Sequence, residues 1–352
     1  MGSPGVWCNV LVVLIIGVVG ILVKVVTPPP GSTTLDGSQL TAPRVQMRDG
    51  RFLAYKQVGV PLETAKHVIV HVHGYGGSRH LTYPISQEVT EEDGVCMISF
   101  DRAGYGQSDA NPNRSIKSEA DDVVDLADGL GLGRRFYVTT VSIGGYTGWG
   151  LLKYHPDRLA GMAMQAPATN FWWSGLPASA VKAGWAQLAL GDKMAFCVWH
   201  YFPVLTYWHM TQTWLPTSSV APHAGLQNFS PGDQELMKLS GSRLAKTTPE
   251  HSKEAAQRGP IESTFRDLTV MFSSWDFSPL EIRQPSGSVS VHIWQGTEDY
   301  LVPVQLQRAV ANAHPWVQYH ELPNHGHFLN GVPGIPDRVV RTLLGTRTTT
   351  AN

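Results

Sequence analysis

The chain has 352 residues, of which 42% are hydrophobic and 16% are charged, and its formal net charge is −1. This length suits one large α/β domain with an insertion or two average domains, and the low charged fraction favours a large core together with a membrane segment. The near-neutral charge and the absence of lysine or arginine tracts argue against a nucleic-acid partner. Cys8, Cys96 and Cys197 are too few and too scattered for a disulfide framework or a zinc site, and no metal or cofactor is expected.

An almost wholly apolar stretch runs from Val6 to Val26. About 20 apolar residues suffice to cross a bilayer as a helix, so one N-terminal transmembrane helix is expected within residues 1–27. A cleaved signal peptide is the alternative, but the stretch lacks a basic start and a small-residue cleavage site. Basic residues occur only at or after its end, which favours a cytosolic main domain on the endoplasmic reticulum or another endomembrane. Residues 28–43, rich in Pro, Gly, Ser and Thr, are expected to form a linker.

Strand and helix patterns alternate along most of the remaining chain. An Asp49-Gly50 turn signal predicts an opening β-hairpin over residues 44–59. Further strands are predicted at 67–73, 95–100, 137–141, 159–166, 288–294 and 317–322, and helices at 81–92, 115–132, 304–313 and 335–344, with another ending near 154. The alternation predicts an α/β fold with a mostly parallel, doubly wound sheet, whose core comprises residues 44–166 and 275–345.

The alternation stops over residues 167–274, where tryptophans and other aromatic residues are concentrated. This segment is predicted to be a mainly helical cap over the ligand-binding edge of the sheet. A place in the hydrophobic core is the simpler interpretation of any single tryptophan, and a lipophilic substrate pocket is the more specific one. On the second interpretation, Trp172 and Trp173 are assigned to substrate binding; a cap that dips into a membrane is a further alternative. Residues 346–352 are expected to be a flexible tail.

A β-rich run from Tyr137 ends at Ser142, which is followed by Ile143–Gly145. This order is typical of a strand, a sharp turn and a helix, with a serine hydroxyl presented at the apex and the N-terminus of the helix directed at it. The motif is G-x-S-x-G with Thr140 in place of the first glycine, where strand and helix pass closely. The simpler interpretation is a Ser-Gly-Gly turn that ends a buried strand.

A glycine-rich loop follows the strand predicted at 67–73. Because the carboxyl ends of parallel strands meet at one edge of a sheet, this loop is expected to lie near Ser142. Glycine can bring main-chain N–H groups close to a ligand, so Gly74 is assigned to substrate binding. The N–H groups of Tyr75 and Ile143 are predicted to form an oxyanion hole.

An acid and a histidine follow later strands in the same way. Asp299 lies in a Gly-x-x-Asp turn and is favoured over Glu298; His327 directly follows Gly326 and is favoured over His325. A surface-loop histidine is the simpler interpretation of either imidazole. A serine hydroxyl is a weak nucleophile and needs a base; imidazole can accept its proton, and a carboxylate fixes the tautomer of the imidazole. Serine, acid and histidine occur in the chain order of the α/β-hydrolase pattern.

Several longer motifs carry a resemblance to this superfamily. They are the apolar start with its Pro-Pro-Pro tail, Arg48–Tyr55, His73-Gly74, Ser99–Gly106, Val141–Gly145 and Phe272–Phe277. The chain from about Arg44 to Leu344 resembles the α/β-hydrolase superfamily, and most closely a plant group of membrane-anchored α/β-hydrolases. The resemblance implies the α/β-hydrolase fold and an esterase-like hydrolase with Ser142, Asp299 and His327 as its catalytic triad. It leaves the substrate open, because the fold hosts esterases, lipases, lyases, acyltransferases and hormone receptors.

We therefore expect a membrane-anchored serine hydrolase that cleaves a carboxylic ester, or a related acyl bond, of an apolar small molecule or lipid. A small-molecule receptor of the same fold with little turnover is the alternative that Thr140 motivates, because a misplaced turn would slow catalysis. An acyltransferase is the third alternative, since the sequence does not tell whether water or an alcohol accepts the acyl group.

The apolar start predicts that the full-length protein is an integral membrane protein. Washing with alkaline sodium carbonate should leave it in the membrane pellet, because a spanning helix stays in the hydrocarbon core with its backbone hydrogen bonds satisfied. A variant lacking residues 1–43 should move to the soluble fraction. Release of the full-length protein by carbonate would contradict the prediction.

Overall fold

The computed structural model describes residues 20, 23, 40–216, 218–220, 228–240, 255–256, 261–287 and 289–346. The predicted membrane anchor and linker lie outside the described residues, apart from residues 20, 23 and 40–43, and so does the predicted tail beyond residue 346. Within the described ranges, no helix combines the length and the apolar character needed to cross a membrane.

An eight-stranded, mostly parallel sheet forms the centre of the described chain, as the sequence predicts. The strands are β1 (Arg44–Gln46), β2 (Phe52–Gly59), β3 (His67–Val72), β4 (Val95–Phe100), β5 (Phe136–Val141), β6 (Leu159–Gln165), β7 (Ser290–Gly296) and β8 (Val317–Leu322). Their order across the sheet is β1-β2-β4-β3-β5-β6-β7-β8; β2 runs antiparallel to β1 and β4, and the remaining pairs are parallel. The carboxyl ends of β3, β5, β7 and β8 therefore open at one edge.

The described α-helices lie on both faces of the sheet and in the cap between β6 and β7. They are α1 (Gln87–Glu92), α2 (Ile116–Gly129), α3 (Gly145–Tyr154), α4 (Ala178–Gln187), α5 (Leu190–Tyr201), α6 (Thr206–Thr211), α7 (Pro231–Ser240), α8 (Glu262–Phe272), α9 (Val304–Ala313) and α10 (Ile335–Leu344). On one face α2 packs against α3. On the other, Val89 of α1 and Val340 of α10 join Ile69 and Met97 of the sheet in one buried cluster. A parallel sheet needs such cover on both faces because its strands are apolar on both sides.

Several predicted elements have different bounds in the structure. The helix predicted over residues 81–92 is only the short α1, because the residue before Pro84 is disfavoured in a helix and Ser86 then acts as the N-cap. The Ser86 hydroxyl oxygen accepts the Val89 N–H at 3.2 Å. The preceding residues remain a loop along the edge of the sheet. The strand predicted over residues 288–294 is β7, which starts and ends two residues later.

Between β6 and β7, residues 167–274 carry the helices α4 to α8 in their described parts. Aromatic side chains of this cap pack largely on one another. The rings of Trp172 and His200 stack with centroids 4.0 Å apart, and those of Phe196 and Phe272 lie 4.6 Å apart. Much of the aromatic content is therefore the hydrophobic core of the cap, which is the simpler of the two interpretations made from the sequence.

A buried cluster of charges joins the cap to the sheet. Asp267 of α8 is fully buried, and its carboxylate accepts a hydrogen bond from Arg102 Nη2 at 2.6 Å and also pairs with Arg114. Tyr105 and Tyr146 donate their hydroxyl groups to the same carboxylate at 2.5 and 2.9 Å. Burial disfavours the charged carboxylate, but the two arginines hold the pKa of Asp267 below its ordinary value. The cluster thus ties the cap to α3, where Tyr146 lies.

Replacing Asp267 with alanine should lower the free energy of unfolding by about 3–5 kcal/mol, because two buried guanidinium groups lose a shared counter-charge and only Glu119 is left to pair with both. The contribution is fully present above the unfolded pKa of about 3.9 and is lost as the pH falls towards the lower folded pKa, so urea unfolding near pH 7 measures all of it. The Asp276 carboxylate accepts an exposed hydrogen bond from Tyr154, so Asp276→Ala should cost less than about 0.5 kcal/mol. A loss below about 1 kcal/mol for Asp267→Ala would contradict the role given to the cluster.

Candidate active site

The turn at Ser142 is sharp and presents its hydroxyl group at the carboxyl edge of the sheet. Ser142 has a φ of 54°, in the left-handed region that is uncommon for residues other than glycine. A methyl group at Gly144 would lie 2.8 Å from the carbonyl oxygens of both Val72 and His73, and Gly145 has no room for one either. Glycine at both positions therefore lets α3 begin close against the neighbouring strand.

Thr140 takes the place of the first glycine of the motif without displacing the turn. Its side chain is fully buried and faces Gly148 of α3, where an added methyl group would lie 3.4 Å from Thr140 Cγ2. That distance is an ordinary van der Waals contact, and the tighter contacts of such a methyl group would be with Met164 Sδ at 3.0 Å and Met162 Sδ at 3.2 Å. Thr140 is thus accommodated beside α3, and Ser142 keeps its left-handed conformation.

His327 links the side chains of Ser142 and Asp299. Its Nε2 atom lies 2.9 Å from Ser142 Oγ, and its Nδ1 atom lies 2.8 Å from Asp299 Oδ2. Since a carboxylate only accepts, Nδ1–H donates to Asp299, which leaves Nε2 to accept the serine proton. The N–H groups of Leu301 and Val302 donate to Asp299 Oδ1 at 2.9 and 2.8 Å and hold the carboxylate in place. The structure thus brings the three residues together, and their catalytic roles stay a prediction.

The alternative acid and histidine brace the loops instead. Glu298 donates its main-chain N–H to the carbonyl oxygen of His325 at 2.8 Å. The His325 ring turns back on its own loop, with Nδ1 at 2.7 Å from the carbonyl oxygen of Pro323. The preference for Asp299 and His327 therefore agrees with the geometry.

Asp233 of α7 is a second carboxylate at the histidine, and it is not among the residues assigned from the sequence. Its Oδ2 atom accepts the His327 N–H at 2.8 Å, and its Oδ1 atom accepts the Phe328 N–H at 2.9 Å. In the sequence it ends an S-x-x-D pattern that is typical of a helix start, and Ser230 Oγ does accept the Asp233 N–H at 3.2 Å. Burial disfavours the charged imidazole, but Asp299 and Asp233 together raise the pKa of His327 above its ordinary value.

His73 holds the loop after β3 in place. Its Nδ1–H donates to the carbonyl oxygen of Gly74 at 2.8 Å, while Nε2 accepts the Arg102 N–H at 3.2 Å. Burial and the nearby Arg102 charge both lower the pKa of His73, so the ring is neutral and keeps this tautomer. A methyl group at Gly74 would lie 3.4 Å from Ser142 Cβ, so the main chain of this loop passes directly beside the serine.

A cavity of about 840 Å³ opens over Ser142 and His327. Gly74 and Tyr75 line it, and the role of the Tyr75 and Ile143 N–H groups as oxyanion donors stays a prediction. Its apolar lining includes Leu81, Ile85, Val220, Phe229, Leu301 and Val332. Across the residues described, no group of three or more His, Cys, Asp or Glu side chains is placed to hold a metal ion.

Trp172 and Trp173 do not line this cavity, which corrects their assignment to substrate binding. The Trp172 Nε1–H donates to Tyr201 Oη at 2.8 Å, within the aromatic core of the cap. Trp173 is 7% exposed and packs against Trp275, with ring centroids 5.3 Å apart. Both rings therefore belong to the packed core of the cap, near the point where the chain leaves β6. Most of the residues that line the cavity lie in loops, whose composition gives no distinctive signal in the sequence.

Residues 67–196 match a protein-family model described as "alpha/beta hydrolase fold". Two candidate carbamate hydrolases named RutD, from two strains of Caulobacter vibrioides, are each 34% identical to the chain over 110 residues. The match covers 31% of this chain and 39% of RutD, so the chain spans well under half of the length of these curated relatives.

Solved structures resemble almost the whole chain. An esterase from Thermogutta terrifontis is 18% identical, with a TM-score of 0.56 over 87% of this chain and 98% of that one. An enol-lactonase from Burkholderia xenovorans is 20% identical, with a TM-score of 0.56 over 86% and 98%. A protein from Chitinophaga pinensis described by this fold is 17% identical, with a TM-score of 0.59 over 88% and 99%. At these identities the likeness establishes the fold alone.

The chain therefore has the α/β-hydrolase fold, and the family model and the structural neighbours support placing it in the α/β-hydrolase superfamily. The narrower resemblance to plant membrane-anchored members stays a prediction.

The variant Thr140→Gly restores the usual motif but should not speed the reaction of Ser142. Because the buried threonine already fits beside α3, the change creates a cavity and adds backbone freedom to β5, and it should cost about 1–3 kcal/mol of unfolding free energy. Thr140→Ser, which removes only the methyl group, should cost less. A rate of fluorophosphonate reaction in Thr140→Gly clearly above that of the unaltered protein would contradict the packing argument.

Proposed function

We propose that this protein is a serine hydrolase that cleaves a carboxylic ester, or a related acyl bond, through an acyl-enzyme. The observation that carries the proposal is the pair of hydrogen bonds at His327, 2.9 Å to Ser142 Oγ and 2.8 Å to Asp299 Oδ2. A serine hydroxyl that shares a hydrogen bond with an oriented imidazole can be deprotonated as it attacks. The serine and the histidine also border one cavity large enough for a substrate.

In the proposed reaction, His327 Nε2 takes the proton of Ser142 Oγ as that oxygen attacks the carbonyl carbon of the substrate. Asp299 stabilises the imidazolium, and the N–H groups of Tyr75 and Ile143 donate to the negatively charged carbonyl oxygen. The imidazolium then gives its proton to the leaving oxygen, so the bond to the leaving group breaks and an ester of Ser142 remains. Water, deprotonated by the same imidazole, attacks that ester, and the acid product leaves as the serine regains its proton.

The lining of the cavity favours an apolar substrate of moderate size. A volume of about 840 Å³ falls within the usual range of small-molecule sites, about 300–1,000 Å³. Apolar side chains such as Leu81, Val220 and Phe229 would contact the acyl or alcohol part. A relative named for carbamate hydrolysis also supports attack on a carbonyl carbon bonded to oxygen. Together with the predicted membrane anchor, these features support an apolar small molecule or a lipid as substrate, at an endomembrane with the main domain in the cytosol.

The receptor alternative was motivated by Thr140. The position of Ser142 weakens that motive, because its hydroxyl group lies 2.9 Å from His327 Nε2 although Thr140 is buried in the preceding strand. An acyltransferase would use the same three side chains, with an alcohol in place of water.

Ser142→Ala should abolish labelling by a fluorophosphonate and reduce hydrolysis of p-nitrophenyl esters on the order of 10⁴-fold or more, because the nucleophile is gone. Rates of hydrolysis of p-nitrophenyl esters with increasing acyl length show which acyl length the protein prefers. Ser179→Ala, on the exposed side of α4, is the matched control and should behave like the unaltered protein.

The same experiment separates the alternatives. A folded protein that neither labels nor hydrolyses any ester of the panel would overturn the proposal. Ligand-induced thermal stabilisation that Ser142→Ala leaves intact, without product, would favour the receptor. Faster consumption of the ester with added alcohol, giving a new ester as product, would favour the acyltransferase.

A further inference from the structure

A carboxylate of the cap, that of Asp233, accepts hydrogen bonds from the loop that carries His327. Asp233 of α7 is 1% exposed, and its two oxygens accept the main-chain N–H groups of His327 and Phe328 at 2.8 and 2.9 Å. Ser230 Oγ donates to Asp233 Oδ2 at 3.0 Å and fixes the carboxylate itself. Hydrogen bonds to a charged acceptor are roughly twice as strong as neutral ones. The position of the His327 main chain is therefore set from the cap as well as from β8.

The loop and the start of α7 are closely packed around this contact. A methyl group at Gly326 would overlap the carboxylate of Asp233 and the hydroxyl of Ser230, so glycine is needed where the loop passes under α7. The rings of Phe229 and Phe328 lie 5.6 Å apart and pack the two segments together on the cavity side. Because Phe229 also lines the cavity, a ligand that fills this end touches the cap only a few residues before Asp233.

Two carboxylates, those of Asp299 and Asp233, lie close to His327. Asp299 faces its Nδ1 atom from the loop after β7, Asp233 faces its main chain from α7, and the neutral hydroxyl of Ser142 faces its Nε2 atom. Both carboxylates favour the protonated imidazole. Within the described ranges, Asp233 has no ion pair with lysine or arginine, so its charge is not neutralised by a cationic side chain.

We propose that Asp233 is a positioning residue that makes the histidine base depend on a docked cap: it holds His327 in line with Ser142 through two main-chain hydrogen bonds. The inference rests on the proposed hydrolase function. With the cap in place, the imidazole is aligned and its positive form is stabilised by charges on two sides. With α7 displaced, the loop loses both hydrogen bonds and the imidazole loses one of its two carboxylates.

The variant Asp233→Asn tests this with two readouts. The plateau of kcat/KM for a p-nitrophenyl ester should fall about 10- to 100-fold, because small misplacements of a catalytic group cost rates of that order. The acid limb of the pH profile should move to lower pH, because one of the two charges that raise the His327 pKa is lost. A loss of packing alone would lower the plateau without moving the limb.

Asp125→Asn is the matched control. This buried carboxylate also accepts a main-chain N–H, from Arg48 at 2.9 Å, but it lies on α2, away from the cavity. It should leave both the plateau and the acid limb unchanged. If Asp233→Asn does not fold, Ser230→Ala, which removes only the hydroxyl that orients the carboxylate, should lower the plateau by a smaller factor and leave the acid limb in place, because the charge of Asp233 remains.

Titration of the His327 imidazole by NMR, assigned with His327→Gln, follows the pKa without any substrate. A lower His327 pKa in Asp233→Asn supports the role of Asp233 even if no ester is hydrolysed. Absence of ester hydrolysis would count only against the proposed hydrolase function. An unchanged His327 pKa together with an unchanged kcat/KM plateau in Asp233→Asn would overturn the role of Asp233.

Discussion

The hydrogen bond between Ser142 Oγ and His327 Nε2 is the contact on which the proposed chemistry depends, and its two residues stand 185 positions apart in the chain. The sheet brings them together, since β5 ends at the serine and the loop after β8 carries the histidine. These strands are not neighbours: β6 and β7 lie between them, and Asp299 follows β7. The three side chains can meet only because the loops bend along the carboxyl edge, and main-chain contacts set the shape of those loops.

Close packing fixes this geometry at both ends of the hydrogen bond. At the serine, Gly144 lets α3 begin against the carbonyl oxygens that end β3. At the histidine, Gly326 lets the loop pass under α7, where Asp233 accepts two of its N–H groups. The cap is attached a second time through Asp267 of α8, whose charge is neutralised by buried arginines. Two helices of the cap, α7 and α8, are thus joined to the rest of the protein by buried charged groups. Such groups are costly to leave unpaired.

The sheet, the serine turn and the acid–histidine pair can be predicted from the sequence because each signal is contained in a few consecutive residues. Three features cannot, because they depend on contacts distant in sequence. Aromatic composition does not distinguish core from pocket, so Trp172 and Trp173 were assigned to the cavity although they build the cap. The S-x-x-D pattern at the start of α7 indicates only the beginning of a helix. It does not reveal that Asp233 accepts a hydrogen bond from a residue 94 positions later. Whether Thr140 fits beside α3 depends on which side of that helix faces the strand.

Covalent modification of the protein, mapped by peptide mass spectrometry, tests the nucleophile most directly. After reaction with a fluorophosphonate, trypsin should release a single modified peptide, Phe136–Lys153, with the added mass on Ser142, its only serine. The yield should approach one label per molecule and should drop sharply in His327→Ala, because the hydroxyl then lacks its base. A label on any other residue, or a folded protein that takes up no label, would contradict the assignment of Ser142 as the nucleophile.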